Sequence, residues 1–106
     1  MHASIWKFGG DPDELARRYD ALVAEMPSDQ FIAHLCLRAD DGIVILDTCP
    51  TRQAFEAFST GDEFHSALRR YGFPEPSELR DYPVHALFIN GAAAIAAPSL
   101  ASSRST

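Results

Sequence analysis

The sequence is most informative first for what it lacks. No apolar run approaches the ~18 residues of a membrane-spanning helix, and the opening MHASIWKF has neither the basic nor the apolar region of a secretory leader. Basic residues are few, 9 Lys and Arg against 15 Asp and Glu, giving a net charge of −6 and a pI near 5.0. With no clustered cations, a nucleic-acid or anionic-membrane surface is excluded. Cysteine is limited to two residues, too few for a disulfide framework and consistent with buried thiols in a reducing compartment. The expectation is a cytoplasmic protein. Gly9-Gly10 matches neither dinucleotide nor P-loop spacing, and no tandem repeat is visible. No cofactor is called for.

What remains is an ordinary globular composition, 46% apolar and 23% charged over 106 residues, which suits one domain. Its centre is FIAHLCLRADDGIVILDTCP, residues 31–50. This reads as two strands closed by an Asp41-Gly42 turn. Because strand side chains alternate, one face carries Phe31, Ala33, Leu35, Leu37, Val44, Leu46 and Thr48. The other carries Ile32, His34, Cys36, Arg38, Ile43, Ile45, Asp47 and Cys49. A tight turn at 41–42 would set Cys36 opposite Asp47 and His34 opposite Cys49.

Ahead of the hairpin, residues 3–8 form a short strand. Asp11, Pro12 and Glu14 then open a helix with Leu15, Tyr19, Leu22, Val23 and Met26 on one stripe. After the hairpin, one helix starts at Pro50-Thr51, and a second starts at a Thr60/Glu63 capping box and ends at Gly72. FPEPSELRDYP reads as a loop with one helical turn. VHALFIN, residues 84–90, reads as the fourth strand, and the Ala- and Ser-rich residues 92–106 as a tail dispensable for folding.

The order strand, helix, strand, strand, helices, strand predicts an α+β, ferredoxin-like βαββαβ antiparallel sheet of order 4-1-3-2 over residues 1–91, with both helical segments on one face. The helices should cover the cleaner face of the hairpin. The opposite face, with Trp6, Phe8, Ile32, Ile43, Ile45, Leu87 and Ile89, would then be too apolar for a monomer. A second copy packed sheet to sheet is the expected partner.

On element order and patterning over residues 3–91, the chain resembles the dimeric α+β barrel superfamily, including the antibiotic biosynthesis monooxygenase-like proteins. The resemblance implies a small-molecule pocket, and activities such as cofactor-independent oxygenation, lactone isomerisation or haem degradation. The Asn, Trp and His of the haem-degrading members have no counterpart set here, since the first strand carries a Trp but no Asn.

The pocket face gathers Ser4, Trp6, His34, Cys36, Arg38, Asp47, Cys49 and His85. A carboxylate in an apolar wall needs a partner, and Arg38, His34 or His85 could supply one. Asp47 with His85 forms the expected catalytic pair, moving a proton beside Trp6. A purely structural Asp47, capping the next helix or paired with Arg38, stands beside that reading. Trp6, Ile32, His34, Cys36, Ile45 and Leu87 form the expected substrate walls, for a small apolar or aromatic molecule. His34, Cys36, Asp47 and Cys49 share a face, but no close Cys-x-x-Cys pair favours a zinc site, and no metal is expected. Two functions remain open: a cofactor-free oxygenase or isomerase, or a non-catalytic ligand-binding or interaction protein of the same fold.

Overall fold

A computed structural model describes residues 1–26 and 32–95. Pro27 and Phe31, which the sequence reading assigns to a helix stop and to the hairpin, lie outside the described residues. So do residues 96–106 of the expected tail.

Strand β1 (His2–Gly9) leads into helix α1 (Pro12–Ala24), followed by β2 (His34–Ala39), β3 (Gly42–Cys49), α2 (Arg52–Thr60) and α3 (Asp62–Arg70). β4 (Glu78–Pro83), β5 (Leu87–Ile89) and β6 (Ala92–Ile95) complete the chain. The main sheet is antiparallel with order β2-β3-β1-β4, the strand order expected from the sequence.

Helix α1 starts as its residues dictate: the Asp11 carboxylate accepts from the backbone N–H of Asp13 at 2.9 Å, and Pro12 stands at the first position. Glu14 does not reach back to the cap. It is held by Arg17 and by Arg18 at 3.1 Å. Thr51 caps α2 through the Ala54 N–H at 3.0 Å. Gly61 precedes α3 without a side-chain cap, because the Thr60 hydroxyl donates to the Glu56 carbonyl at 2.6 Å instead.

Three expectations are corrected. First, the helices cover the other face of the sheet. Trp6 and Phe8 are 2% exposed and Ile43 is 1% exposed. They pack with Leu15, Leu22, Phe55, Leu68 and Phe73 in the core, and Leu35 and Leu37 are left 55% and 45% exposed on the uncovered side. The aromatics decide this. Trp6 meets Phe58 and Phe64 edge-on at 6.4 and 5.2 Å, and Phe8 meets Phe73 at 5.1 Å. Rings that bury 150–250 Å² each outweigh a few aliphatic side chains. Ile43 and Ile45 therefore belong to the core and are not free for a dimer contact.

Second, the fourth strand is Glu78–Pro83. Ser77 N–H donates to the Lys7 carbonyl at 2.7 Å and Val84 N–H to the Met1 carbonyl at 2.9 Å, bracketing its pairing with β1. As an edge strand it tolerates Pro83 at its end. Third, VHALFIN instead supplies β5, which pairs with Ala92–Ile95 in a separate two-stranded sheet. The first four residues of the expected tail are thus a strand.

The β2–β3 turn is also displaced by one residue. Ala39 pairs with Gly42, so Asp40 and Asp41 form the turn. Gly42 serves a close approach: its φ is 158°, and a Cβ there would lie 1.9 Å from the Phe8 carbonyl oxygen.

Candidate functional site

Register and alternation bring four polar side chains into one row across the helix-covered face. His34 on β2 pairs with Asp47 on β3, Asp47 with Ser4 on β1, and Ser4 with Asp81 on β4. The one-residue turn shift produces the first of these pairs. His34 Nδ1 lies 3.1 Å from Asp47 Oδ1, with side chains only 11% and 13% exposed. Tyr19, from α1, stacks on the His34 ring at 5.8 Å with 20° between planes. Ser4 is 2% exposed, and its Oγ accepts from the Trp6 indole N–H at 3.0 Å. At the far end, Asp81 Oδ2 sits 3.3 Å from His2 Nδ1 and 3.9 Å from Arg52 Nε.

Burial raises the proton affinity of three groups around this row. Tyr19 is pushed up to about 12, first by desolvation and then by nearby Cys36, Asp20 and Asp47. Burial likewise raises both thiols, Cys36 and Cys49. At neutral pH they are protonated sulfhydryls packed against the core, not thiolate nucleophiles. Among the described residues, no three His, Cys, Asp or Glu side chains are grouped as metal ligands.

The expected site residues divide. Asp47, His34 and Trp6 share this region, with Cys36 and Ile45 one pleat along. His85 does not join them. It lies exposed in a bend between β4 and β5, and Asp81 stands where the sequence reading put it, across β1 from Asp47. The Asp47–His85 pair is therefore replaced by Asp47–His34. Arg38 is also not the partner of Asp47, since it pairs with Asp13 at 3.4 Å on the surface. Ile32 is 43% exposed, and Leu87 belongs to the separate hairpin, so neither walls this site. Asp81 is not among the residues that the sequence points to, because the prolines around it read as a loop. Tyr19 was visible only as part of a helix stripe.

Above the sheet, the end of α1 and the α2–α3 corner enclose a cleft of about 450 Å³. Leu22, Met26, Ala57, Phe58, Phe64 and Ala67 supply its apolar lining, and Glu25, Glu63 and Arg70 its charged groups. Arg70 Nη2 donates to Glu25 Oε2 at 3.2 Å, tying α3 to the end of α1. Phe58 and Phe64 pack on each other at 4.2 Å and both meet Trp6. Trp6 thus joins the aromatic cleft to the polar row. His34 and Asp47 are not among the cleft walls. The volume lies within the range of small-molecule sites.

No family model and no curated protein matches the chain. Among solved structures, it is similar to a protein of Chloroflexus aurantiacus J-10-fl provisionally named an antibiotic biosynthesis monooxygenase. The TM-score is 0.56 and the identity 17%, covering 84% of this chain and 98% of that one. That likeness is one of fold: the chain has the ferredoxin-like α+β architecture of that protein.

Proposed function

We propose that this protein is a small-molecule enzyme, a cofactor-independent oxygenase or isomerase, that binds an apolar, aromatic substrate in the helix-side cleft. The observation that carries the reading is the aromatic cleft itself, seated on Trp6, whose indole N–H donates to Ser4, the register neighbour of Asp47. Asp47 beside Nδ1 holds the His34 ring in place. The proton of an acidic C–H or phenol would pass to that imidazole. The anion left behind either regains the proton at another carbon, which is isomerisation, or reacts with dioxygen. The named monooxygenase likeness supports the class of chemistry by analogy of fold.

A second reading, binding without turnover, is favoured by one observation: the cleft walls do not include His34 or Asp47. One experiment separates the two. The protein is incubated in air with naphthols and hydroxyanthraquinones, and substrate loss is followed by mass spectrometry for wild type and Asp47→Asn. The enzyme reading predicts conversion by wild type that Asp47→Asn abolishes while binding persists. Binding without conversion in both proteins selects the second reading.

The protein is also proposed to act as a homodimer through the uncovered sheet face. Leu35, Leu37 and Tyr82 are exposed there, with Ile5, Val44 and Leu46 half-buried beside them. This is an apolar patch of the sort that soluble monomers seldom keep. Light scattering at micromolar concentration tests it directly: a single-chain mass would reject the dimer.

A further inference from the structure

Three charged side chains rim the helix-side cleft: Glu25 at the end of α1, and Glu63 and Arg70 on α3. The Arg70 guanidinium is already engaged. It donates to Glu25 at 3.2 Å and lies over the Tyr71 ring, 5.5 Å from the centroid. The Tyr71 phenol has its proton affinity raised first by a hydrogen bond to the same Glu25 carboxylate. Glu25 is thus matched to a cation and to a phenol. Glu63 is not: among the described residues its carboxylate enters no ion pair. Negative charge in the first turn of a helix is ordinary, because the peptide dipoles favour it there. Asp62 stands in that same turn and serves the helix end as well. Only Glu63 of the two lines the cleft.

We infer that the cleft takes an aromatic cation, a ring bearing a protonated amine, with the ring on Phe58 and Phe64 and the ammonium at Glu63. The inference deepens the cleft reading proposed above and rests on it. An anionic ligand would have to displace Glu25 from Arg70, and would then face two carboxylates. A neutral ring would fill the apolar walls and gain nothing from Glu63. An ammonium meets a rim with one negative charge in excess and leaves the Glu25–Arg70 tie intact. The aromatic walls add to this, since the face of a ring attracts a cation. The net charge of −6 on the chain biases encounter in the same sense. Because Glu63 is exposed, its pull is screened, and such a charge pair shifts an equilibrium by up to about fivefold. Reversing the ligand's charge turns that attraction into repulsion, so a cation and an anion on the same ring should differ about tenfold at low salt.

Equilibrium dialysis of the full chain in dilute neutral buffer, with 2-naphthylmethylamine, 2-naphthol and 2-naphthoate as probes, reads the preferred charge directly. The expected order of affinity is amine, naphthol, naphthoate. The amine should bind about tenfold tighter than naphthoate, and added salt should narrow the gap. Glu63→Gln should cut the amine-to-naphthol affinity ratio about threefold or more. Asp62→Asn removes the same charge one residue away and should leave that ratio close to wild type. Naphthoate binding as tightly as the amine, an unchanged ratio in Glu63→Gln, or an equal drop in Asp62→Asn would each overturn the inference. Saturable naphthol binding with no preference for the amine leaves the cleft reading standing and defeats the aromatic cation alone. If none of the three probes saturates, both fall.

Discussion

Ile43→Ala and Leu37→Ala, compared side by side, test which face of the sheet is the protein's own core. Ile43 is 1% exposed, beside Phe8 on the helix-covered face, and Leu37 is 45% exposed on the far side. Truncating a buried Ile to Ala costs about 2–5 kcal/mol through lost transfer energy and the cavity left behind. Taking about 3 kcal/mol and a urea slope of about 1.5 kcal/mol/M, the unfolding midpoint should fall by roughly 2 M. That is a large share of a domain stability of about 5–15 kcal/mol. Leu37→Ala should change the stability of the single chain by no more than about 0.5 kcal/mol. If the open face is a dimer contact, the Leu37→Ala loss should grow with protein concentration, whereas the Ile43→Ala loss should not. Urea titrations followed by circular dichroism at two concentrations give both numbers. A concentration-independent loss at Leu37 that exceeds the loss at Ile43 would refute the placement of the helices.

Tyr19 should resist ionisation. Its phenol, pushed up to about 12, is neutral in the folded protein above its ordinary 10, so its stabilising contribution is intact below pH 10 and lost as pH rises towards 12. Tyr19→Phe should flatten that loss in alkaline unfolding curves. Gly42→Ala should destabilise by at least about 2 kcal/mol, because its Cβ would run into the Phe8 backbone; chemical denaturation reads this, and a neutral result would reject the turn geometry. Asp47→Asn removes the charged partner of a buried imidazole and should cost about 1–3 kcal/mol, with a shifted His34 ring signal by NMR. An unchanged His34 spectrum would mean that the pair is not formed in solution.

Much of the architecture was legible because local chemistry and global order agree. Asp11-Pro12 opens α1 as written, and the order of strands and helices fixes a 4-1-3-2 sheet. The face was not legible from the hairpin alone, whose two sides are both apolar. The choice depended on Trp6 and Phe8 meeting Phe58, Phe64 and Phe73, contacts between rings as many as 65 residues apart. VHALFIN has the stronger strand composition, whereas ELRDYP, with none of its side chains buried, takes the fourth place through its ladder with β1. Asn90-Gly91 is a hairpin signal of the same kind as the aspartate-glycine pair at 41–42, and here it does form the turn. Asp41-Gly42 misled by a single residue, because Gly42 is needed against the Phe8 carbonyl and not in the turn. That shift alone moved the partner of Asp47 from Cys36 to His34.

The claim that the helix-side cleft is a ligand site can be read from the protein's own fluorescence. Trp6 is the one tryptophan in the chain, and it stands against the cleft rings Phe58 and Phe64. Titration of wild type with 2-naphthol should give a saturable change in Trp6 emission. Ala57→Phe, which fills the cleft from α2, should weaken binding at least tenfold while leaving the melting temperature near wild type. A linear, unsaturable response in wild type, or equal affinity in Ala57→Phe, would contradict the account.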